Sequence, residues 1–394
     1  MNLLKLSWKN IWHKPLSAGL SILLLALGVG LISFLGTIGS QLEKQFKSNL
    51  ENVHMVVGAK GSPVQIILSA IYHISPPTGN ISYHEAQQLS KNPMVDKAIP
   101  MSLGDSYMGM RIVGTNWDYV TLYNGEIDHG IAFKEAHEVV IGASAADRLN
   151  LKIGSEFIGN HGLQKTEDQH DEHPYKVVGI LKPTGLVLDK LILCNLESVW
   201  AAHSHHDNAH TEEPEEITNL LLTFKSKLAH LTMPRMVNEQ TEMQAAMPSI
   251  EVNMLLSNLG IGISTLWFIG LIVIIVSGLS VFVSLFNSIK ERMFELALLR
   301  SLGASKWQLF ALPIYEAIVL ATIGGLLGIM AKMLGGILAQ NIISEDYGYS
   351  LSLMSITIQD IYVLIIAIGI AILAAVIPAI SAMRVNISHT LAND

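Results

Sequence analysis

One cysteine, Cys194, stands in a chain of 394 residues, so no disulfide can form within it. Charge is scarce as well, at 15% of residues, and 25 Lys plus Arg face 33 Asp plus Glu. With no basic surplus there is no nucleic-acid footprint, which needs a basic face. No G-x-x-x-x-G-K run followed by Ser or Thr occurs, which excludes ATP binding by a Walker loop. Zinc-hydrolase spacing is missing too: His84–Glu85 and His137–Glu138 begin as H-E-x-x-H does, but the fifth positions are Gln88 and Ile141. No Ser, Cys or paired-carboxylate arrangement stands out, and we expect no enzymatic activity in this chain.

What the chain has in abundance is hydrophobic residues, half of the total. Four runs are long enough to cross a bilayer, which takes about 20 apolar residues: 16–39, 258–288, 307–331 and 361–383. The first exceeds a signal peptide's hydrophobic region and lacks a clear small-x-small cleavage site, so it is read as retained. Lys5, Lys9 and Lys14 precede it, and Lys290, Arg292, Arg300 and Lys306 lie between the second and third runs. The positive-inside rule then puts both termini, including the tail 384–394, and the 290–306 loop in the cytoplasm. Residues 40–257 fall outside, as does a shorter loop, 332–360. Residues 1–15, with Leu3, Leu6, Ile11 and Trp12 among lysines, read as an amphipathic helix on the inner membrane surface; a plain basic flank is the alternative.

The outer segment carries thirteen of the fifteen histidines. Short aliphatic runs such as "VHMVVGA", "GMRIVGT", "HEVVIGA", "YKVVGIL", "KLILCNL" and "NLLLTFK" predict strands, with helices between some of them. The fold class is therefore four transmembrane α-helices plus a large extracytoplasmic α+β domain between helices 1 and 2. Leu42, Phe46 and Leu50 on one side, and Met243, Met247, Ile250 and Met254 on the other, predict helical continuations of the spans as a stalk. The apolar stretch 56–74 reads as a membrane-surface helix, a lining for a lipidic substrate, or a buried domain helix. Two polar loops, 159–174 and 201–216, are rich in histidine. His203, His205, His206 and His210 with Asp207, and His161, His170 and His173 with Asp168 and Asp171, offer ligands for a divalent ion, zinc first. A solvated acidic loop that binds nothing specific is the alternative.

The segment "KERMFELALLRSLGASKWQLF", 290–310, places Met293, Leu296, Ala297, Leu299 and Leu302 on an apolar stripe that ends at Gly303, with Ser305 placed to cap the next helix. A short helix there is built to receive a push from a cytoplasmic partner; a re-entry turn anchored by basic residues is the alternative. Further on, Glu316 lies well inside the third run, where an ionisable residue marks either a gate or a buried structural contact. Gly324 and Gly328, like Gly28, Ser33 and Gly36, allow close helix packing, within one subunit or across a dimer.

The stretch Glu295 to Ser305, "ELALLRSLGAS", resembles the coupling-helix motif of the MacB/FtsX/LolC class of ABC-transporter permeases. "VVIGASAADRLNLKIGSEF", 139–157, and "YKVVGILKPTGLVLDKLILCNLESVW", 175–200, resemble that class's periplasmic core domain. The resemblance covers essentially the whole chain. It implies a multi-pass permease subunit of a bacterial inner membrane, with its large domain periplasmic. It also implies a second permease subunit, identical or not, and two copies of a separate cytoplasmic ATPase that binds ATP and Mg. Glu291, Arg292, Glu295, Leu296, Leu299, Arg300, Leu302, Gly303, Ala304 and Ser305 would form the ATPase-coupling element. ATP-driven closure would move the stalk and outer domain, handling substrate outside the membrane. A periplasmic adaptor, a lipoprotein or a metal-binding protein would be the outer partner, the last in a zinc-linked system. The alternatives are an FtsX-like scaffold that regulates an outer hydrolase, and a lipoprotein-release permease.

Overall fold

The computed structural model describes residues 7–10, 15–161, 174–203, 215–347 and 355–385. Among them four helices are long and apolar enough to cross a membrane: Pro15–Ser48, Pro248–Glu291, Lys306–Leu338 and Ile358–Met383. We call them spans one to four. At about 1.5 Å per residue, the 34 residues of span one and the 44 of span two run about 50 and 65 Å, against a hydrocarbon core of about 30 Å. Both are longer than a crossing of that core requires. The chain divides into two units, Met1–Leu42 with Asn258–Asp394, and Glu43–Ser257.

In the first unit small residues set the packing. A Cβ on Gly328 would lie 2.7 Å from the Ala26 carbonyl oxygen, and one on Gly30 would lie 2.9 Å from the Gly328 carbonyl oxygen. Spans one and three therefore touch backbone to backbone, and Gly324–Gly328 packs within the chain. Span four buries Ala367, Ala371, Ala375 and Ala379 completely, a four-residue spacing that presents one narrow face inward. Lys332 Nζ donates to Asp360 Oδ2 at 2.7 Å and to the Ser355 carbonyl oxygen at 3.1 Å. Asp360 also accepts from the Thr357 backbone N–H at 2.7 Å and opens span four through a capping box. The expected outer loop 332–360 is partly helix, because the helix of span three continues to Tyr347. A hydrophobic run marks where apolar surroundings end; the helix stops only where a breaker or competing contact stops it, and this stretch contains no proline.

The second unit is built on a mixed sheet, eleven-stranded among the described residues. From one edge the strands run Met243–Ala246, Met55–Ala59, Asn219–Phe224, Val95–Tyr107, Met110–Thr115, Ile192–Cys194, Glu138–Ile141, Tyr175–Leu181 and Ile127–Gly130. Ile192–Cys194 pairs parallel with Met110–Thr115, and Glu138–Ile141 parallel with Tyr175–Leu181. Both faces of the sheet are covered, which is why its strands read as near-continuous apolar runs. Val56 and Leu221 face one core, with Ile66, Ile67 and Tyr119; Met55, Val57, Leu220 and Leu222 face another, with Ala86, Met233 and Val237. Phe46, Leu50, Val252 and Leu256, from the outer ends of the long helices and the turn after the first, pack against the first of these cores.

One expectation changes, and one choice between alternatives is decided. Met243 lies in a strand, and span two's helix starts at Pro248, after it. A run of methionines at threes and fours satisfies a helical period, but pairing of Val56 with Ala246 decides the matter. The apolar stretch 56–74 becomes a strand and a buried domain helix, Pro63–Ala70, with Ser62 as N-cap and Ile66, Ile67 and Ala70 in the core. It is neither a membrane-surface helix nor an exposed lipidic lining. Of the N-terminal segment 1–15, residues 7–10 are helical; residues 1–6 and 11–14 lie outside the described residues.

Candidate functional site

Span two stops at Glu291, and a separate helix, Met293–Ser301, follows at once. Arg292 makes the corner: its φ of −107° and ψ of 16° are not helical, and its carbonyl accepts from the Leu296 N–H at 3.0 Å. The far end closes as a glycine C-cap does. Gly303 has φ +101°, a conformation that costs glycine little, and the Ala304 N–H reaches back to the Leu299 carbonyl at 3.0 Å. Ser305 then starts span three reciprocally: its hydroxyl accepts from the Gln308 N–H at 3.2 Å, and the Gln308 side chain accepts from the Ser305 N–H at 2.9 Å.

The inner face of this helix is apolar. Leu296 and Ala297 are buried with Ile289, Leu309, Leu312, Ala382 and Val385, and Met293 and Leu299 flank them. Two arginines tie it further. Arg292 Nε donates to Glu295 Oε2 at 2.8 Å, while its Nη1 lies 3.9 Å from Glu316 Oε1. Arg300 Nη1 donates to the Met383 carbonyl oxygen at 3.1 Å, satisfying an end carbonyl of span four. Glu316 is buried at 5% exposure and accepts from Asn10 Nδ2 at 2.5 Å. The outer face is apolar too: Phe294, Leu298 and Leu302, spaced by four, are 44%, 46% and 76% exposed, and Trp307 beside them is 73% exposed.

The residues expected at this element thus divide by direction. Leu296 faces inward and Leu299 is half-buried, so both anchor the helix, whereas Glu291, Glu295, Leu302, Gly303 and Ser305 are exposed and Ala304 is half-buried. Phe294 and Trp307 fall outside the 295–305 motif, and Leu298 lies within it without a distinguishing mark. The 294–298–302 spacing was legible, but a stripe of leucines does not say which of its two apolar faces looks out. Nothing in the sequence pointed to Asn10 or to the Met383 carbonyl.

The histidine sets fall largely elsewhere. His161 pairs by its backbone with Asp105, and His203 ends the helix Leu196–His203. Asp168, His170, Asp171, His173, His205, His206, Asp207 and His210 lie outside the described residues. Among the described residues no group of three or more His, Cys, Asp or Glu is arranged to hold a metal ion.

This architecture, an α+β domain between spans one and two followed by three spans with a short separate helix between the second and third, defines a membrane protein with an extracytoplasmic domain. The family model for the MacB-like periplasmic core domain matches residues 18–228, and that for the FtsX-like permease C-terminal region matches residues 267–387. The chain belongs to the MacB/FtsX-type family of ABC-transporter permeases. It is 23% identical over 366 residues to the pyoverdine export ATP-binding/permease protein PvdT of Pseudomonas fluorescens, covering 84% of this chain and 51% of that protein. With the protein of the same name from Pseudomonas syringae pv. tomato it shares 22% over 361 residues, covering 85% and 52%. The chain spans about half the length of the curated relatives it matches. Among solved structures, the periplasmic region of MacB from Actinobacillus actinomycetemcomitans aligns at 12% identity and TM-score 0.36, over 52% of this chain and 95% of that one.

Proposed function

We propose that this chain is the transmembrane subunit through which a separate cytoplasmic ABC ATPase moves the extracytoplasmic domain, so that ATP hydrolysis handles a substrate on the outer side of the membrane. The helix Met293–Ser301 carries the reading. Its inner face and two arginines fasten it to spans three and four, and its outer face leaves Phe294, Leu298 and Leu302 exposed among the described residues. An exposed apolar face rimmed by Glu291 and Glu295 is a protein-docking surface. No Walker loop occurs in these 394 residues, and the reading assigns ATP binding to the ABC ATPase that docks here. With the helix cytoplasmic, as the lysines and arginines around it favour, both termini are cytoplasmic and residues 40–257 are outside.

The test is co-purification in detergent with the ABC ATPase encoded nearest to it. Leu298→Glu changes an exposed side chain, so folding is preserved while retained ATPase falls at least tenfold. Equal retention by wild type and Leu298→Glu would remove the docking surface. Export is the mode we favour, since the relatives are named for export. We further propose that the permease works in a zinc- or other metal-linked system, resting on the histidine clusters of 159–174 and 201–216.

A further inference from the structure

Glu316 has partners on two other segments. Asn10, from the N-terminal segment, donates to its Oε1 at 2.5 Å, and Arg292, at the corner before the coupling helix, lies 3.9 Å from the same oxygen. Arg292 is in turn held by Glu295, whose side chain is 61% exposed on the outer side of that helix. A continuous line of polar contacts therefore runs from the surface of the coupling helix through a buried carboxylate to the N-terminal segment. The backbone beside it is loosened: Pro313, three residues earlier, cannot donate to the Leu309 carbonyl. Ser7 Oγ lies 3.5 Å from the Leu312 carbonyl oxygen, which puts the N-terminal segment on the same turn of span three.

A buried carboxylate is costly unless paired and hydrogen-bonded. Two partners, Asn10 at 306 positions from Glu316 and Arg292 at 24, give the carboxylate a further property, because displacing either segment strains its contact with the other.

We propose that Glu316 is a positioning residue that holds the coupling helix and the N-terminal segment to one turn of span three, so that ATPase-driven displacement of the helix moves the N-terminal segment with it. This rests on the coupling-helix reading above. The N-terminal segment is then a second output of the ATPase stroke, alongside the outer domain.

The experiment uses the full chain with its ATPase in lipid nanodiscs, spin-labelled at Lys9→Cys. Cys194 is fully buried, so the label is unique. A non-hydrolysable ATP analogue changes label mobility in the wild type, and Asn10→Ala cuts that change at least fivefold while ATPase retention stays within twofold. The reversed pair Asn10→Asp with Glu316→Gln, in which amide and carboxylate exchange places, restores it. A second arm omits the ATPase: Arg292→Ala alters label mobility, and at least threefold less in a Glu316→Gln background. An unchanged response in Asn10→Ala, or an Arg292→Ala effect independent of Glu316, overturns the inference. If the wild type retains no ATPase, the docking reading fails instead, and the second arm alone decides the Arg292–Glu316–Asn10 link.

Discussion

His73 sits in the left-handed region at φ +56°, buried in the outer domain with its Nε2 3.0 Å from the Tyr119 hydroxyl. Arg111 reaches past it to the carbonyls of His73 and Ser75 at 3.4 and 3.0 Å. Burial first, and the Arg111 charge second, push the His73 pKa down to about 3. The unfolded chain, with an ordinary histidine near 6.5, takes up a proton the folded domain refuses. Stability from keeping His73 neutral is therefore complete above about pH 6.5 and is lost as pH falls toward about 3, by up to about 1.4 kcal/mol per unit. His73→Asn keeps a residue that tolerates positive φ and removes the titration. Thermal unfolding of the full chain between pH 7 and pH 4.5 should show a shallower acid decline in His73→Asn than in wild type; parallel curves would contradict it.

At the scale of elements, spans three and four behave as one hairpin because they are tied at both ends. Apolar packing of Leu296, Leu312 and Ala382 closes the coupling-helix end, and the Lys332–Asp360 pair closes the other with side-chain exposures of 1% and 0%. A pair so buried gains little over an apolar replacement, but losing one member leaves a buried charge alone, at a cost of about 3–5 kcal/mol. Lys332→Met should lower the unfolding midpoint in detergent sharply. Lys332→Met with Asp360→Asn should recover most of the loss, since Asn still accepts from the Thr357 backbone at the start of span four. A double variant as unstable as the single one would show that the pair is not what joins the two helices.

For the whole molecule, the division at Leu42/Glu43 and Ser257/Asn258 separates the unit that holds the spans from the unit built on the sheet. The histidine-rich segment belongs to the outer unit, and the coupling helix to the other. On the zinc-linked proposal, deleting residues 203–210 should lower Zn²⁺ affinity of the full chain, read by calorimetric titration, at least fivefold. Retention of the ATPase should stay within twofold. Zinc binding that survives the deletion unchanged would disconnect this segment from metal.

Much of this was legible in the sequence because it is local. Period-two and continuous apolar runs mark the strands, apolar length marks the spans, and Gly303 and Ser305 mark the two ends of the coupling corner. Each depends on neighbours within a few residues. Tertiary structure decided the rest. Met243 is in a strand because it lies against Ala59, 184 positions earlier, and Ile66, Ile67 and Ala70 of the helix Pro63–Ala70 are buried because they pack into the domain core. Glu316 meets Asn10 and Arg292, and Arg300 meets the end of span four, only once the bundle closes. A sequence shows which side chains are apolar or charged, and how often they recur. Which of two apolar faces is buried, and which charges meet, depends on elements brought together from distant parts of the chain.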